Sequence, residues 1–224
     1  MTRPKPALFA FPGQARVGRP VPKTKIYEHG KIGSALRDKF VAQVEQITWA
    51  YKLAPETLNL PARSEVPEIQ IFDIELKGTE LDDDVLRAID RAIPLPIIFQ
   101  LHRDRQTYMV AAFKRPSQVE AGKWVLDDYL AGPWLPDDGE RLPLPLALDL
   151  QGLYEQLLRS LLPQTARVGE SLPEQLERLA RLRSQQNEYN KLVTRLHKEK
   201  QFNRKVALNA QLRVLKNEID QLSA

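Results

Sequence analysis

From Glu174 to Ala224 the chain carries neither glycine nor proline. A stretch of about fifty residues without a helix breaker reads as helix, and as one continuous rod it would be on the order of 75 Å long at 1.5 Å per residue. Its start is marked by Ser171 with Glu174 three residues on, a capping box with Pro173 inside the first turn. Apolar positions recur along it at Leu172, Leu176, Leu179, Leu182, Tyr189, Val193 and Leu196. The last five, Leu208, Leu212, Leu215, Ile219 and Leu222, are spaced four, three, four, three, which is a heptad seam. Such a seam is expected to bury itself against a partner helix, with Asn203 and Asn209 beside it placed to set register. Between Leu196 and Leu208 only Phe202 and Val206 are apolar. The pattern there admits a bend, a hairpin or a shift of register.

The rest of the chain reads as one α+β domain. With 224 residues and 42% hydrophobic content there is enough apolar material for a real core. No stretch reaches the roughly 18 uninterrupted apolar residues of a membrane span, and "ALFAF" (7–11) is too short for a signal segment. Cytoplasmic placement without membrane attachment is the expectation. The absence of cysteine excludes disulfides, thiolate metal sites and cysteine nucleophiles.

Residues 1–24 hold five prolines and two glycines and read as an extended arm. Within 25–163, Ser34 to about Gln46 reads as a helix with a Leu36, Phe40, Val41, Val44 stripe. "ITWAYKL" (47–53) alternates Ile47, Trp49, Tyr51 and Leu53 on one side, a strand pattern. "EIQIFDIELK" (68–77) is a second strand, with Phe72, Ile74 and Leu76 facing one way and Ile69, Ile71, Asp73, Glu75 and Lys77 the other. Asp82–Asp84 open a helix over 85–93. "PIIFQL" (96–101) and "QTYMVAAF" (106–113) form an expected antiparallel hairpin, and "KWVLDDYL" (123–130) is a fifth strand. A Pro- and Asp-rich loop follows (131–145), then a helix over 150–162. The expectation is a mostly antiparallel five-stranded sheet with helices, a linker at 164–170, and a long C-terminal helix or coiled-coil arm over 171–224.

Two constellations bear on chemistry. Asp73, Glu75 and Lys77 share a strand face, as in metal-dependent nucleases of the restriction-endonuclease type, where two carboxylates hold Mg²⁺ and a lysine steadies the phosphate. The preceding strand supplies no matching Asp; Glu56 falls beyond its end. The commoner origin of such a pattern is the solvent face of an ordinary strand. The second is the basic run "KLVTRLHKEKQFNRK" (191–205), where Lys191, Arg195, Lys198, Lys200, Arg204 and Lys205 stand against one acid, Glu199. It reads either as a solvated helix flank or as a phosphate-contacting segment. The turn "YEHGKIGS" (27–34), with Lys31, lacks the spacing of a nucleotide-binding loop. His29, His102 and His197 are isolated in sequence, so no metal or other cofactor is expected.

The segments "VEQITWAYKLAPETLNLP", "EIQIFDIELK", "LRAIDRAIPLPIIFQL" and "KEKQFNRKVALNAQL" together resemble a bacterial family known only as a domain of unknown function, from about Pro22 to the C-terminus. Its members look like companions of DNA methyltransferases and superfamily-2 helicases in restriction or phage-defence gene clusters. That resemblance implies a setting and assigns no reaction; taken with the leucine seam and the basic run, it leads to the expectation of a non-catalytic accessory subunit of a restriction-modification or phage-defence system. Such a subunit docks on a helicase or methyltransferase, or on itself, through Leu208, Leu212, Leu215, Ile219 and Leu222, with DNA in reach of the basic run. The rival expectations are the Mg²⁺-dependent nuclease and a stand-alone DNA-binding module.

Overall fold

The computed structural model describes residues 8–117, 119–120 and 122–223. It divides into two compact units, one ending at Pro163 and one beginning at Gln164. No helix among the described residues is long and apolar enough to cross a membrane.

The first unit is built on a mixed six-stranded sheet whose strands lie in chain order: β2 (Arg16–Pro20), β3 (Val44–Leu53), β4 (Ile69–Leu76), β5 (Ile97–Arg103), β6 (Gln106–Pro116) and β7 (Trp124–Pro136). β1 (Leu8–Ala10) pairs in parallel with β8 (Arg141–Pro143) as a separate ribbon. The helices are α1 (Lys23–Gly30), α2 (Ser34–Gln43), the short α3 (Pro55–Leu58), α4 (Asp83–Ala92) and α5 (Leu150–Ser160).

Three features depart from the expected five-stranded, mostly antiparallel sheet. First, β4 and β5 are parallel. A parallel step needs a crossover, and α4 supplies it. Second, part of the expected N-terminal arm is the edge strand β2. It tolerates Pro20 because an edge strand need not donate on its outer side. Its register with β3 slips between Arg16 and Arg19, where Gly18 sits at φ 63°. Residues 1–7 of the arm lie outside the described residues. Third, the expected 131–145 loop is mostly strand. β7 runs on to Pro136 and accommodates Gly132 and Pro133 through a register shift against β6.

The helix expected to run to Gln46 stops at Gln43, since Val44 already has the extended backbone of β3. Val41, assigned to its apolar stripe, is exposed, and α1 precedes it as an extra helix. Alternation along β3 also fails. Trp49 pairs with Phe72 and Tyr51 with Ile71, so Ala50 is an inserted bulge residue. The buried positions of the strand are Val44, Ile47, Ala50 and Leu53, of which Val44 and Ile47 join the main core. The β5–β6 hairpin closes as expected, through Asp104 and Arg105, both at positive φ as a type I′ turn demands.

The main core lies between one sheet face and α1, α2 and α4. Phe40, Ile47, Phe72, Ile74, Val85, Leu86, Ile89 and Phe99 are buried there. α4 is capped by Asp82, whose carboxylate accepts from the Asp84 N–H at 3.0 Å. Lys39 fastens α2 to that cap, 2.6 Å from Asp82. α5 is capped by Asp149, which accepts from the Gly152 N–H at 2.8 Å.

The second unit is a helical hairpin of α6 (Leu172–Lys198) and α7 (Phe202–Ser223). The capping box of Ser171 and Glu174 opens α6 as expected. Of the three possibilities open at the seam gap, the hairpin is the one adopted. Leu192 packs with Leu212 and Leu215, flanked by Tyr189, Val193, Leu196 and Leu208. Low α6 numbers meet high α7 numbers: the Arg178 guanidinium donates to the Leu222 carbonyl at 3.0 Å. The two helices are therefore antiparallel.

Candidate functional site

Parallel pairing of β4 with β5 puts Asp73 opposite Gln100 and Glu75 opposite His102. Asp73 Oδ1 accepts from Gln100 Nε2 at 2.8 Å and lies 3.3 Å from His102 Nε2. On the other side of the ring, His102 Nδ1 is 3.0 Å from Thr107 Oγ1, and that hydroxyl donates to Asp137. Because Thr107 spends its one proton on Asp137, its oxygen accepts from a protonated Nδ1. Burial alone would lower the His102 pKa. Asp73, with Glu75 and Asp137 behind it, outweighs burial and holds the imidazole above its ordinary value. Thr107 is fully buried, so the chain carboxylate–imidazole–hydroxyl–carboxylate presents no nucleophile to solvent.

The three residues of the nuclease-like face do not act on one point. Asp73 turns to Gln100 and His102, Glu75 is exposed, and the Lys77 ammonium donates to the Val41 carbonyl at 2.9 Å. Since β3 starts at Val44, an acid does lie on the preceding strand: Glu45, at a bulge, 3.7 Å from Lys77 Nζ. The alternation over 47–53 places the strand's start three residues later and so leaves Glu45 out. Among the described residues, no three His, Asp or Glu side chains converge closely enough to hold a metal ion. Lys31 takes a left-handed conformation that closes α1, its N–H bonding to the Tyr27 carbonyl.

A second titratable cluster is buried between α4 and β6. Lys114 donates to the carbonyls of Asp90 and Ile93 and lies 3.4 Å from Asp90 Oδ1. The Tyr129 hydroxyl donates to Asp90 Oδ2 at 2.6 Å. Burial pushes the Asp90 carboxyl up to about 6 and the Lys114 ammonium down. With its three donors matched to three acceptors, Lys114 ties the last turn of α4 to the sheet. The sequence signal was present: Lys114 follows Val110 and Ala112 at strand spacing on a core-facing side.

The hairpin gathers the basic run. Glu199 breaks the helix with extended backbone (φ −72°, ψ 134°), and its carboxylate accepts from the N–H groups of Lys200 and Gln201 at 2.8 and 2.9 Å. Lys198, Lys200, Arg204 and Lys205 thus surround one apex, and Lys191 and Arg195 lie within about two α6 turns of it. All six are exposed. Of the six, Arg204 is the one within 4 Å of a carboxylate among the described residues, 3.9 Å from Glu199. Lys191 and Arg195 also line a groove of about 410 Å³ along α6 with Ser184, Asn187 and Glu188. On an unbroken helix, which turns 100° per residue, Arg204 would instead point away from Lys191, Arg195 and Lys198.

The seam residues behave differently. Leu212 and Leu215 are buried against α6 and Leu208 packs beside them, while Ile219 and Leu222 are half-buried. The seam finds its partner helix within the chain. Phe202 and Val206 stay outside this cluster, 77% and 54% exposed.

No curated protein and no solved structure matches the chain. A family profile does, over residues 9–219, and the chain belongs to that family, described as domain of unknown function DUF4391.

Proposed function

We propose that the protein is a non-catalytic accessory subunit whose helical hairpin contacts nucleic acid through its apex. The observation that carries this reading is the break at Glu199, which folds a linear basic run into a cluster of exposed cations. Its single acid, Glu199, is held by the backbone N–H groups of Lys200 and Gln201. Phosphates attract such a cluster by releasing counterions, and the positive end of α7 adds to the field. The sheet face supports the same reading. Its carboxylates are pulled apart by His102, Gln100 and Lys77 rather than converging on a metal. The family resemblance suggests a helicase or DNA methyltransferase of a restriction or phage-defence system as the catalytic companion.

The test is anisotropy of a labelled oligonucleotide titrated with the intact protein at several salt concentrations. Binding should weaken linearly in log–log form, and Lys198→Glu with Lys200→Glu and Arg204→Glu should abolish it at moderate salt. For the milder alanine triple, the slope should flatten by roughly two to three units, close to one per lost phosphate contact. Binding that ignores salt, or survives the triple charge reversal, rules the apex out.

A further inference from the structure

Charge alone does not explain the composition of the apex. Phe202 is the first residue of α7 and is 77% exposed; Val206, one turn on, is 54% exposed. Neither joins the apolar cluster that holds the hairpin together, which is made by Tyr189, Leu192, Val193, Leu196, Leu208, Leu212 and Leu215. Phe202 therefore contributes nothing visible to the fold, yet stands between Lys200 and Arg204, with the amides of Gln201 and Asn203 beside it and also exposed. A surface that recognises only duplex phosphates has no use for a bare aromatic ring, because duplex bases are already stacked on one another. An unpaired base offers a free π-face, and an aromatic side chain flanked by cations is the arrangement that holds single strands.

Resting on the reading of the apex as a nucleic-acid contact, we propose that its ligand is single-stranded nucleic acid. Phe202 stacks on an unpaired base, while Lys200, Arg204 and Lys205 hold the adjoining phosphates and Lys191 and Arg195 guide the strand along the α6 groove. The amides of Gln201 and Asn203 are placed to bond the edge of the stacked base.

The experiment compares labelled oligo-dT, oligo-U and a DNA duplex of equal length on the intact protein and on Phe202→Ala, Phe202→Trp and Lys200→Glu. The proposal expects a single strand to bind more tightly than the duplex, with the preferred sugar read from the dT and U arms. Phe202→Ala should weaken single-strand binding about 5- to 150-fold, the range for one stacked base, and leave the duplex unaffected. Phe202→Trp should retain binding, and Lys200→Glu should weaken every probe. Because Phe202 is exposed, helical content by circular dichroism should not change in any variant. Equal affinity for duplex and single strand, or a silent Phe202→Ala, overturns the stacking proposal while leaving the apex as a phosphate contact. Failure of the wild-type protein to bind any probe overturns the apex reading itself.

Discussion

Arg178 and Glu170 form a two-pronged pair, Nε to Oε1 at 2.6 Å and Nη2 to Oε2 at 2.9 Å, with both side chains less than a tenth exposed. The remaining guanidinium nitrogen, Nη1, bonds Gln164 Oε1 and the Leu222 carbonyl. One side chain on α6 therefore fixes the linker before it and the last turn of α7 behind it, which sets the register of the whole hairpin and so the position of its apex.

Removing that guanidinium strands a buried carboxylate. Arg178→Met should cost about 3–5 kcal/mol, as breaking a buried pair does, and Arg178→Lys should recover only part because an ammonium cannot make the fork. Amide hydrogen exchange over the last turns of α7 should speed up in both variants, and unchanged exchange there would refute the role. The pair also sets a pH dependence. Arg178 holds the Glu170 carboxyl down to about 2. A depressed acid contributes stability that is present above its unfolded pKa, about 4.3, and is lost as pH falls through the folded value. Acid titration of the wild type should therefore loosen α7 between about pH 4 and pH 2, a transition missing in Glu170→Gln.

His102 carries the opposite sign. Its folded pKa is raised, so the stabilisation from Asp73 is fully present below the unfolded value near 6.5 and disappears as pH rises through the folded pKa. Thermal melts of the wild type and His102→Asn should differ most at mildly acidic pH and converge toward alkaline pH. A difference that stays constant across that window would mean the imidazole is held by packing and not by charge.

What the sequence disclosed and what it hid divide along the range of the interactions. The Ser171–Glu174 box, the Asp82 cap and the Asp104–Arg105 hairpin rest on residues a few positions apart, and each is legible as a local pattern. The Ala50 bulge, the β2 edge and the parallel β4–β5 step depend on which strands become neighbours, which no local period encodes. The His102 network belongs to this second group, since Asp73, Thr107 and Asp137 come together only through three strand pairings. The break at Glu199 falls between the two. A gap in the heptad seam announced it, but with no Gly or Pro to mark a turn, only the antiparallel packing of Leu192 on Leu212 selects a hairpin. Phe202, one of the two apolar residues in that gap, stands at the start of α7 beside the hairpin's apex.

Lys114 and Asp90 test whether the buried cluster is structural. If the ammonium serves only to tie α4 to β6, Lys114→Met leaves Asp90 in a dry site without its counter-charge and should destabilise the protein by about 3–5 kcal/mol. Adding Asp90→Asn removes the stranded charge, so the double variant should regain a substantial part of that loss in chemical denaturation. The coupling between the two changes is the informative quantity, because Asp90→Asn also alters the bond from the Tyr129 hydroxyl and Lys114→Met also frees the Ile93 carbonyl. Nucleic-acid binding by the double variant should match the wild type. A loss of binding in a well-folded double variant would instead make this cluster part of the functional surface and move attention from the hairpin to the sheet.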